Sequence, residues 1–203
     1  MNLYLRLLAF RLLTRRRSRV SVLGPVRTPF RVWPSDLDLL RHVNNGTYLT
    51  IMDIARLDLL ARAGLAGPVR ARGWYPVVVA ETITFRRSLT LFQRFEIVTT
   101  CLGWDEKSIF LSQDFERDGR TVATAVIRAR FLGRDGTRVT PEQLLALAGD
   151  VGPRPQLPDW VRDWAAATDR RGAPSVQTNP GTDSQARPAA GASSRITLPS
   201  MRP

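Results

Sequence analysis

One long helical pattern, followed by four strand-like segments, limits what this chain can fold into. In residues 46–63 apolar side chains recur at spacings of three and four, which places them on one helix face: Tyr48, Met52, Ala55, Leu59 and Ala63. Asp58 and Arg62 form an (i, i+4) pair, and Gly64 supplies a C-terminal stop. Four segments rich in valine, isoleucine, threonine and phenylalanine then follow: Val77–Arg87, Phe95–Trp104, Ser108–Arg117 and Thr121–Leu132.

The order of these elements predicts how they pack. A short first strand at Phe30–Trp33, ended by Pro34, precedes the helix, and short connections at Asp105–Lys107 and Asp118–Gly119 predict hairpins. One helix cannot cover both faces of such a sheet. We therefore expect an α+β hotdog fold, in which an antiparallel sheet of about five strands wraps around one long central helix. The remaining sheet edge is expected to pair with a second subunit.

Charge and composition divide the chain into three regions: a basic amphipathic segment at residues 1–26, the hotdog domain at 27–150, and a tail at 151–203 rich in proline, alanine and arginine. The net charge of +12 is concentrated at the ends, because residues 28–150 contribute +2. A nucleic-acid binder would carry its basic patch, with stacking aromatics, on the folded domain, so no nucleic-acid partner is expected.

The tail composition predicts disorder beyond about residue 170, since few apolar side chains are present to offset the cost of ordering. Two short helices are predicted before that point. One covers Pro141–Ala148, and the other covers Pro158–Ala167, where Trp160 and Trp164 are expected to dock it on the domain.

The N-terminal segment is open to two interpretations. Its apolar run, Leu3–Leu13, is too short to span a bilayer and is interrupted by Arg6 and Arg11. A basic run, Arg15–Arg19, follows it, whereas a secretory signal carries its charge first. Residues 1–19 either lie on a membrane surface, with arginines on anionic headgroups, or pack as a helix on the domain or its dimer partner.

The single cysteine, Cys101, excludes an internal disulfide and fits a reducing compartment, so we expect a cytoplasmic protein, peripheral at the membrane if residues 1–19 lie on its surface. It lies in a predicted strand and is expected to be a buried structural thiol. With one histidine and one cysteine in the chain, we expect neither a metal site nor a cofactor.

Chemically versatile side chains concentrate between Ser35 and Tyr48, just before the long helix. This segment holds two carboxylates, the only histidine and two asparagines. An asparagine at this point can cap the free N–H groups of the helix without any catalysis. The same helix start offers unpaired N–H groups and a favourable dipole to a carbonyl oxygen that develops negative charge. A nearby carboxylate can attack a carbonyl carbon or deprotonate water.

One motif runs from Ser35 to Tyr48 and consists of Ser35-Asp36-Leu37-Asp38, His42-Val43-Asn44-Asn45 and Tyr48. It resembles the signature of the 4-hydroxybenzoyl-CoA thioesterase-like branch of hotdog proteins. It is also similar to plant acyl-ACP thioesterases and to the thioesterase superfamily member 6 group, over about Thr28–Leu147. The resemblance implies hydrolysis of an acyl-CoA or acyl-ACP thioester by a homodimer or a dimer of dimers.

The resemblance also implies roles for the matching residues. Asp38 matches the catalytic aspartate, which acts as a nucleophile or as a base on water. His42 matches the histidine of the acyl-ACP type, and Asn45 lies where a backbone N–H polarises the thioester carbonyl. Tyr48 matches a recurrent aromatic one turn into the helix. Leu40 departs from the acyl-ACP pattern, which has a catalytic asparagine there, so that mechanism does not transfer whole.

Further side chains are predicted around these groups. Asn44 is assigned to substrate binding beside the helix start, and Arg86 and Arg87 to the phosphates of coenzyme A at a subunit edge. Glu81 interrupts an apolar strand and is expected to face the cavity, while Asp36 holds the loop as a structural carboxylate. The alternative for the arginines is a solvated strand end.

Two other functions stay open from the sequence. Hydratases of this fold resemble one another in having Asp and His five residues apart, whereas Asp38 and His42 are four apart with Leu40 between them. A non-catalytic acyl-binding or membrane-associated scaffold would use the loop only as a helix cap. Fold alone cannot separate these activities, because function depends on the site.

Overall fold

The computed structural model describes residues 6, 17–149 and 151–172 and contains one curled antiparallel sheet with a long helix. The strands are β1 (Val26–Arg31), β2 (Trp74–Phe85), β3 (Arg94–Trp104), β4 (Ile109–Arg117), β5 (Arg120–Gly133) and β6 (Arg138–Val139). The helices are α1 (Asn45–Arg62), α2 (Ala66–Ala71), α3 (Pro141–Leu145) and α4 (Asp159–Gly172). The expected hotdog architecture is confirmed.

The strands are arranged in the order β1-β3-β4-β5-β2, with β6 paired to β5. Register shifts at Val78/Ala80 in β2 and at Cys101/Gly103 in β3 mark irregularities of the bulge type, which bend a strand and increase its twist. Gly103 has a φ of 134°, and a β-carbon there would lie 2.8 Å from the Pro155 carbonyl oxygen. A side chain at that bend would therefore collide with the segment that crosses it.

Helix α1 begins where the sequence supplies a cap. The Asn44 side-chain oxygen accepts the Gly46 N–H at 2.8 Å, so Asn44 is the capping residue. The predicted apolar face is buried at Tyr48, Met52, Ala55 and Leu59, against the inner face of the sheet. Gly64, with a φ of 77°, follows the helix end.

Several predicted boundaries need correction. The first strand runs over Val26–Arg31 instead of Phe30–Trp33, because every residue from Val26 to Arg31 pairs with β3 in one continuous register. Strand β2 runs over Trp74–Phe85, so it begins three residues before the predicted segment Val77–Arg87 and includes Pro76. Helix α2 was not predicted, since its six residues include a glycine and a proline.

The second face of the sheet is partly covered by α4. Val161 and Ala165, one turn apart, pack against Phe110 and Val126 of the sheet. The prediction that Trp160 helps to dock this helix is wrong, because Trp160 is 53% exposed. Trp164 is half-buried at the same contact.

The end of α4 is fixed by a buried arginine. Arg128 of β5 binds the Asp169 carboxylate through Nη1 at 2.7 Å and through Nη2 at 3.0 Å. Its Nε also donates to the Ser108 hydroxyl at 3.0 Å. The Arg128 side chain is 3% exposed, so this pair joins the C-terminal helix to the outer face of the sheet.

The described part of the N-terminal segment packs on the domain. Arg17 donates to the buried Asp58 carboxylate at 2.8 Å, and Val20 N–H donates to the Arg62 carbonyl at 3.2 Å. The expected Asp58–Arg62 pair is present at 3.9 Å. Residues 1–5 and 7–16 lie outside the described residues, so membrane contact through residues 1–19 stays a prediction.

Two further predictions concern Cys101 and the C-terminal tail. Cys101 is buried and is not in a disulfide, and burial raises the pKa of its thiol. The expected disorder beyond about residue 170 concerns residues 173–203, which the structure does not describe. No helix within the described residues is long and apolar enough to cross a bilayer.

Candidate active site

The loop before α1 and the end of β2 enclose a cleft of about 320 Å³. Six of the eight predicted site residues line it, together with three others that the sequence did not single out. The predicted ones are Asp38, His42, Asn45, Tyr48, Arg86 and Arg87, and the others are Val43, Phe85 and Ser88. The fold therefore brings Asp38 of the loop and Arg87, just beyond the end of β2, to the same cleft, although they are far apart in the sequence.

The loop is held by Asp36, which lies buried at its start. The Asp36 carboxylate accepts the Trp33 N–H at 2.7 Å and the guanidinium of Arg6. The Asp36 carbonyl oxygen accepts the Asn44 N–H at 2.8 Å. These bonds fix both ends of the loop and place the first turn of α1, which is the structural role expected of Asp36.

The Asp38 carboxylate has one oxygen in the loop and one available. Its Oδ1 accepts the N–H groups of Leu40 at 2.8 Å and His42 at 3.2 Å. The Asp38 N–H also donates to the His42 carbonyl at 2.8 Å. Within the described residues, Oδ2 accepts no hydrogen bond, so it can receive a proton from a molecule in the cleft.

The N terminus of α1 supplies a donor to the same cleft. The amides of Gly46, Thr47 and Tyr48 all donate to atoms of Asn44. The Asn45 N–H has no acceptor within the described part of the chain. An unpaired amide at a helix N terminus is suited to an oxygen that carries negative charge.

His42 is exposed at the cleft, and its backbone forms a bridge with Thr90. That bridge joins the loop to the segment between β2 and β3. The imidazole makes no hydrogen bond to any described residue, so its position leaves both ring nitrogens open to a ligand or to water.

Tyr48 forms the inner wall of the cleft. Its ring is 2% exposed and contacts Phe85 edge-on at a centroid distance of 4.9 Å. Burial is the main cause that raises the pKa of its hydroxyl, and the Leu89 backbone partly offsets it. The phenol is therefore neutral and buried, an arrangement that suits packing and positioning better than proton transfer.

The two arginines are fixed at the backbone and exposed at the side chain. The N–H groups of Arg86 and Arg87 both donate to the Val122 carbonyl, at 2.9 and 3.0 Å. Strand β2 thus ends in two cations at the rim of the cleft, an arrangement that can bind an anionic group.

Two residues predicted to bind substrate do not line this cleft. Asn44 is occupied with capping α1. Glu81 is exposed on β2, opposite Ile127, and four residues before Phe85. At about 3.3 Å per strand residue, it lies roughly 13 Å along β2 from the cleft. Its charge instead acts on Arg56 of α1.

A separate apolar cavity of about 230 Å³ lies between the second half of α1 and the sheet. Its lining is mostly aliphatic and includes Leu59, Leu60, Leu65, Cys101, Ile109, Leu111 and Phe131. Asp53 and Arg56 add a charged pair to the lining. Sequence reasoning did not locate this cavity, because its residues come from four strands and two helices, and their alternation along the chain indicates only that they belong to a core.

A polar network supports this charged pair. Arg56 Nη1 donates to the side-chain oxygen of Gln113 at 2.7 Å. The Gln113 amide nitrogen donates to the Met52 carbonyl at 3.1 Å and the Thr99 hydroxyl at 3.2 Å. Gln113 is fully buried, so its hydrogen bonds fix the position of Arg56 relative to the sheet.

Comparison with known proteins gives consistent matches. The family model described as "Thioesterase-like superfamily" matches residues 32–165. Protein THEM6 of Xenopus laevis is 33% identical over 140 residues, which are 68% of this chain and 66% of that protein. The long-chain acyl-CoA thioesterase FadM of Escherichia coli is 33% identical over 128 residues, 62% of this chain and 93% of FadM.

A solved structure supports the same comparison. The probable thioesterase YbaW from Escherichia coli has a TM-score of 0.53 and 28% sequence identity, and the match covers 60% of this chain and 94% of YbaW. This chain spans just under two thirds of the length of the Xenopus relative.

Proposed function

The chain belongs to the thioesterase-like superfamily, and on that premise we propose that it hydrolyses an acyl thioester to a free acid and a thiol. The observation that carries the proposal is the shared cleft of Asp38 and Asn45. A carboxylate with one available oxygen and an unpaired helix N–H supply a base and an oxyanion donor.

The reaction is proposed to proceed through water. Asp38 Oδ2 takes a proton from water while the oxygen of that water attacks the carbonyl carbon. The carbonyl oxygen becomes an oxyanion that the Asn45 N–H stabilises at the positive end of α1. The intermediate then collapses with cleavage of the C–S bond. The proton held by Asp38 returns to the leaving sulfur, directly or through His42.

The acyl group is proposed to run along α1 towards the apolar cavity. Asp53 of its lining lies eight residues beyond Asn45, or about 12 Å along the helix. An extended chain advances about 1.2 Å per single bond. A tail of about ten carbons or more would therefore reach the cavity, in keeping with the name of FadM as a long-chain acyl-CoA thioesterase.

The carrier is proposed to be coenzyme A or an acyl carrier protein, both of which present phosphate near the thioester. Arg86 and Arg87 lie where that phosphate would enter the cleft. Strand β2 ends here and forms the sheet edge, with Val79 and Phe85 exposed. A long apolar edge of this kind favours pairing with a second copy, so we propose a homodimer joined along β2.

One observation favours a non-catalytic alternative. The hydrogen bonds of Asp38 Oδ1 to Leu40 and His42 give this carboxylate a sufficient structural reason to be present. In that case the protein would bind an acyl thioester without cleaving it. An acyl-binding scaffold is therefore the second candidate.

Release of free thiol from a series of acyl-CoA and acyl-ACP substrates tests the proposal with the purified full chain. A thioesterase gives continuous turnover, fastest for acyl chains of about ten carbons or more, which fill the cavity. The scaffold would bind the same thioesters, measured by calorimetry, without releasing thiol above the uncatalysed rate. That second result would overturn the proposed function.

A further inference from the structure

Two apolar loop tips project beside the cleft. Leu39 is fully exposed and Leu40 is 76% exposed, while Leu91 and Phe92 are 41% and 48% exposed. The backbone bridge between His42 and Thr90 makes the two loops neighbours. We call these four side chains the apolar tips. A group of large exposed apolar side chains indicates an interaction site, whereas single ones scattered over a surface are ordinary.

Hydrogen bonds hold both loops in this exposed arrangement. Arg41 and Phe92 have φ values of 60° and 62°, which non-glycine residues adopt only when their surroundings require it. In the first loop, the Asp38 carboxylate binds the Leu40 and His42 amides. The exposure of the tips is therefore built into the fold.

The second loop is held in the same way. The Phe92 N–H donates to the Val32 carbonyl at 3.0 Å. The Thr90 N–H donates to the Gln93 side-chain oxygen at 2.9 Å. The Arg31 guanidinium lies 5.2 Å from the Phe92 ring centroid, so a cation stands directly beside an apolar tip.

The same end of the sheet collects positive charge. The antiparallel register places Arg31 opposite Arg94 and Arg117 opposite Arg120. Further arginines lie at the end of β2 and in the loop that carries Leu39 and Leu40. The whole group comprises Arg31, Arg41, Arg86, Arg87, Arg94, Arg117 and Arg120.

The carboxylates at this end are fewer than the arginines. Asp38 lies in the cleft, and Asp118 is paired with Arg117 at 3.0 Å. Glu96 and Glu116 are both paired with a further arginine, Arg27, at 3.2 and 2.6 Å. Residues 28–150 as a whole contribute only +2. The nearly neutral middle of the chain therefore folds into a domain with one strongly basic end.

We propose that this end docks on an anionic lipid surface, with the apolar tips inserted among the headgroups and the arginines outside the cleft against lipid phosphates. Apolar and basic side chains side by side are the combination that interfacial binding requires. The docked protein presents its cleft to acyl thioesters held in the membrane, a consequence that rests on the proposed function. Lipid binding itself does not depend on catalysis.

Other occupants fit less well. A second copy docked through the same face would bring arginines against arginines, because a two-fold contact pairs a patch with itself. Single-stranded nucleic acid stacks its bases on aromatic side chains, whereas three of the four tips are leucine. The phosphates of coenzyme A would engage the arginines but leave the leucines without a function.

Vesicle flotation of the full chain tests the proposal. Vesicles of phosphatidylcholine alone are compared with vesicles that also contain phosphatidylserine. We expect recovery with the anionic vesicles only, falling as salt is raised, since salt screens the arginines. The variant Leu39→Ser/Leu91→Ser/Phe92→Asn should lose at least ten-fold in apparent affinity. Asparagine tolerates the positive φ at position 92.

The control is Trp160→Ser, which removes from α4 an apolar side chain about as exposed as Phe92 and should bind like the wild type. Thermal unfolding confirms that each variant is folded. Failure of the wild type to float, or equal binding by the triple variant, overturns the proposal. Hydrolysis of a water-soluble short-chain acyl-CoA is measured in parallel. Binding without hydrolysis rejects the proposed function alone, and hydrolysis without binding rejects docking alone.

Discussion

The Asp38 carboxylate accepts the His42 N–H at 3.2 Å, so the residue proposed to activate water also shapes the loop that carries the histidine. Its two oxygens have separate tasks. Oδ1 closes the loop through Leu40 and His42, while Oδ2 is open to the cleft. A substitution at this position therefore changes structure and chemistry together unless it preserves the acceptor at Oδ1.

The buried carboxylate of Asp58 is predicted to be essential for stability. It accepts the Thr28 hydroxyl and an Arg17 N–H, both at 2.8 Å. Asp58→Ala leaves these donors without their acceptor and should lower the free energy of unfolding by about 3 kcal/mol. Asp53→Ala, at a largely exposed carboxylate on the same helix, should cost less than about 1 kcal/mol. Urea denaturation measures both, and equal losses would contradict the account.

The Arg128–Asp169 pair predicts a pH-dependent contribution to stability. The hydrogen bond that Arg128 donates to the Asp169 carboxylate is the main reason why the pKa of Asp169 is lowered. The pair therefore stabilises the fold at pH values above the ordinary pKa of aspartate, and this contribution is lost as pH falls through the lowered value. Because Asp169 is 59% exposed, the effect should be at most about 1 kcal/mol.

Comparison of the wild type with Asp169→Asn measures this contribution. The difference in unfolding free energy should be largest at neutral pH and should disappear in strong acid. A difference that grows as the solution is acidified would reverse the predicted sign.

The β2 edge is predicted to carry the dimer contact. Val79 is exposed on this strand, and a lysine there should oppose edge-to-edge pairing. Light scattering after gel filtration should give twice the chain mass for the wild type and a single chain mass for Val79→Lys. Trp160→Lys on α4 should stay dimeric. A wild type that elutes as a monomer would remove the proposed interface.

The apolar cavity is predicted to set acyl-chain preference. Leu60 is half-buried in its lining, and Leu60→Trp would fill part of the 230 Å³. We expect kcat/KM to fall about ten-fold or more for long acyl chains, as expected when a pocket loses room for part of its ligand. Short-chain substrates should be little affected. A uniform loss across the whole series would indicate general damage instead of a specificity effect.

Local patterns in the sequence were sufficient for much of the fold. The spacing of Tyr48, Met52, Ala55 and Leu59 predicted the buried face of α1, since helix geometry alone relates these positions. The hairpin residues at Asp118–Gly119 likewise predicted the β4–β5 turn. Pro76 concealed the start of β2, because an edge strand tolerates a proline that a central strand does not.

Contacts between distant residues could not be predicted in this way. Arg17 and Asp58 are 41 positions apart, and so are Arg128 and Asp169. Their pairing depends on the packing of whole elements. In the candidate site, Asp38 and Asn45 lie within one short motif, which predicted that both would line the cleft. Glu81 lies away from the cleft because of its distance along β2, which the motif does not contain.

The central claim concerns Asp38, and Asp38→Asn tests it most directly. Asparagine keeps a side-chain oxygen for the Leu40 and His42 amides but cannot take a proton from water. We predict thermal stability close to wild type and a fall in kcat of two orders of magnitude or more. Asp38→Ala, which removes both functions, should lose stability as well. An Asp38→Asn enzyme that releases thiol at the wild-type rate would contradict the account, because the carboxylate would then serve the loop alone.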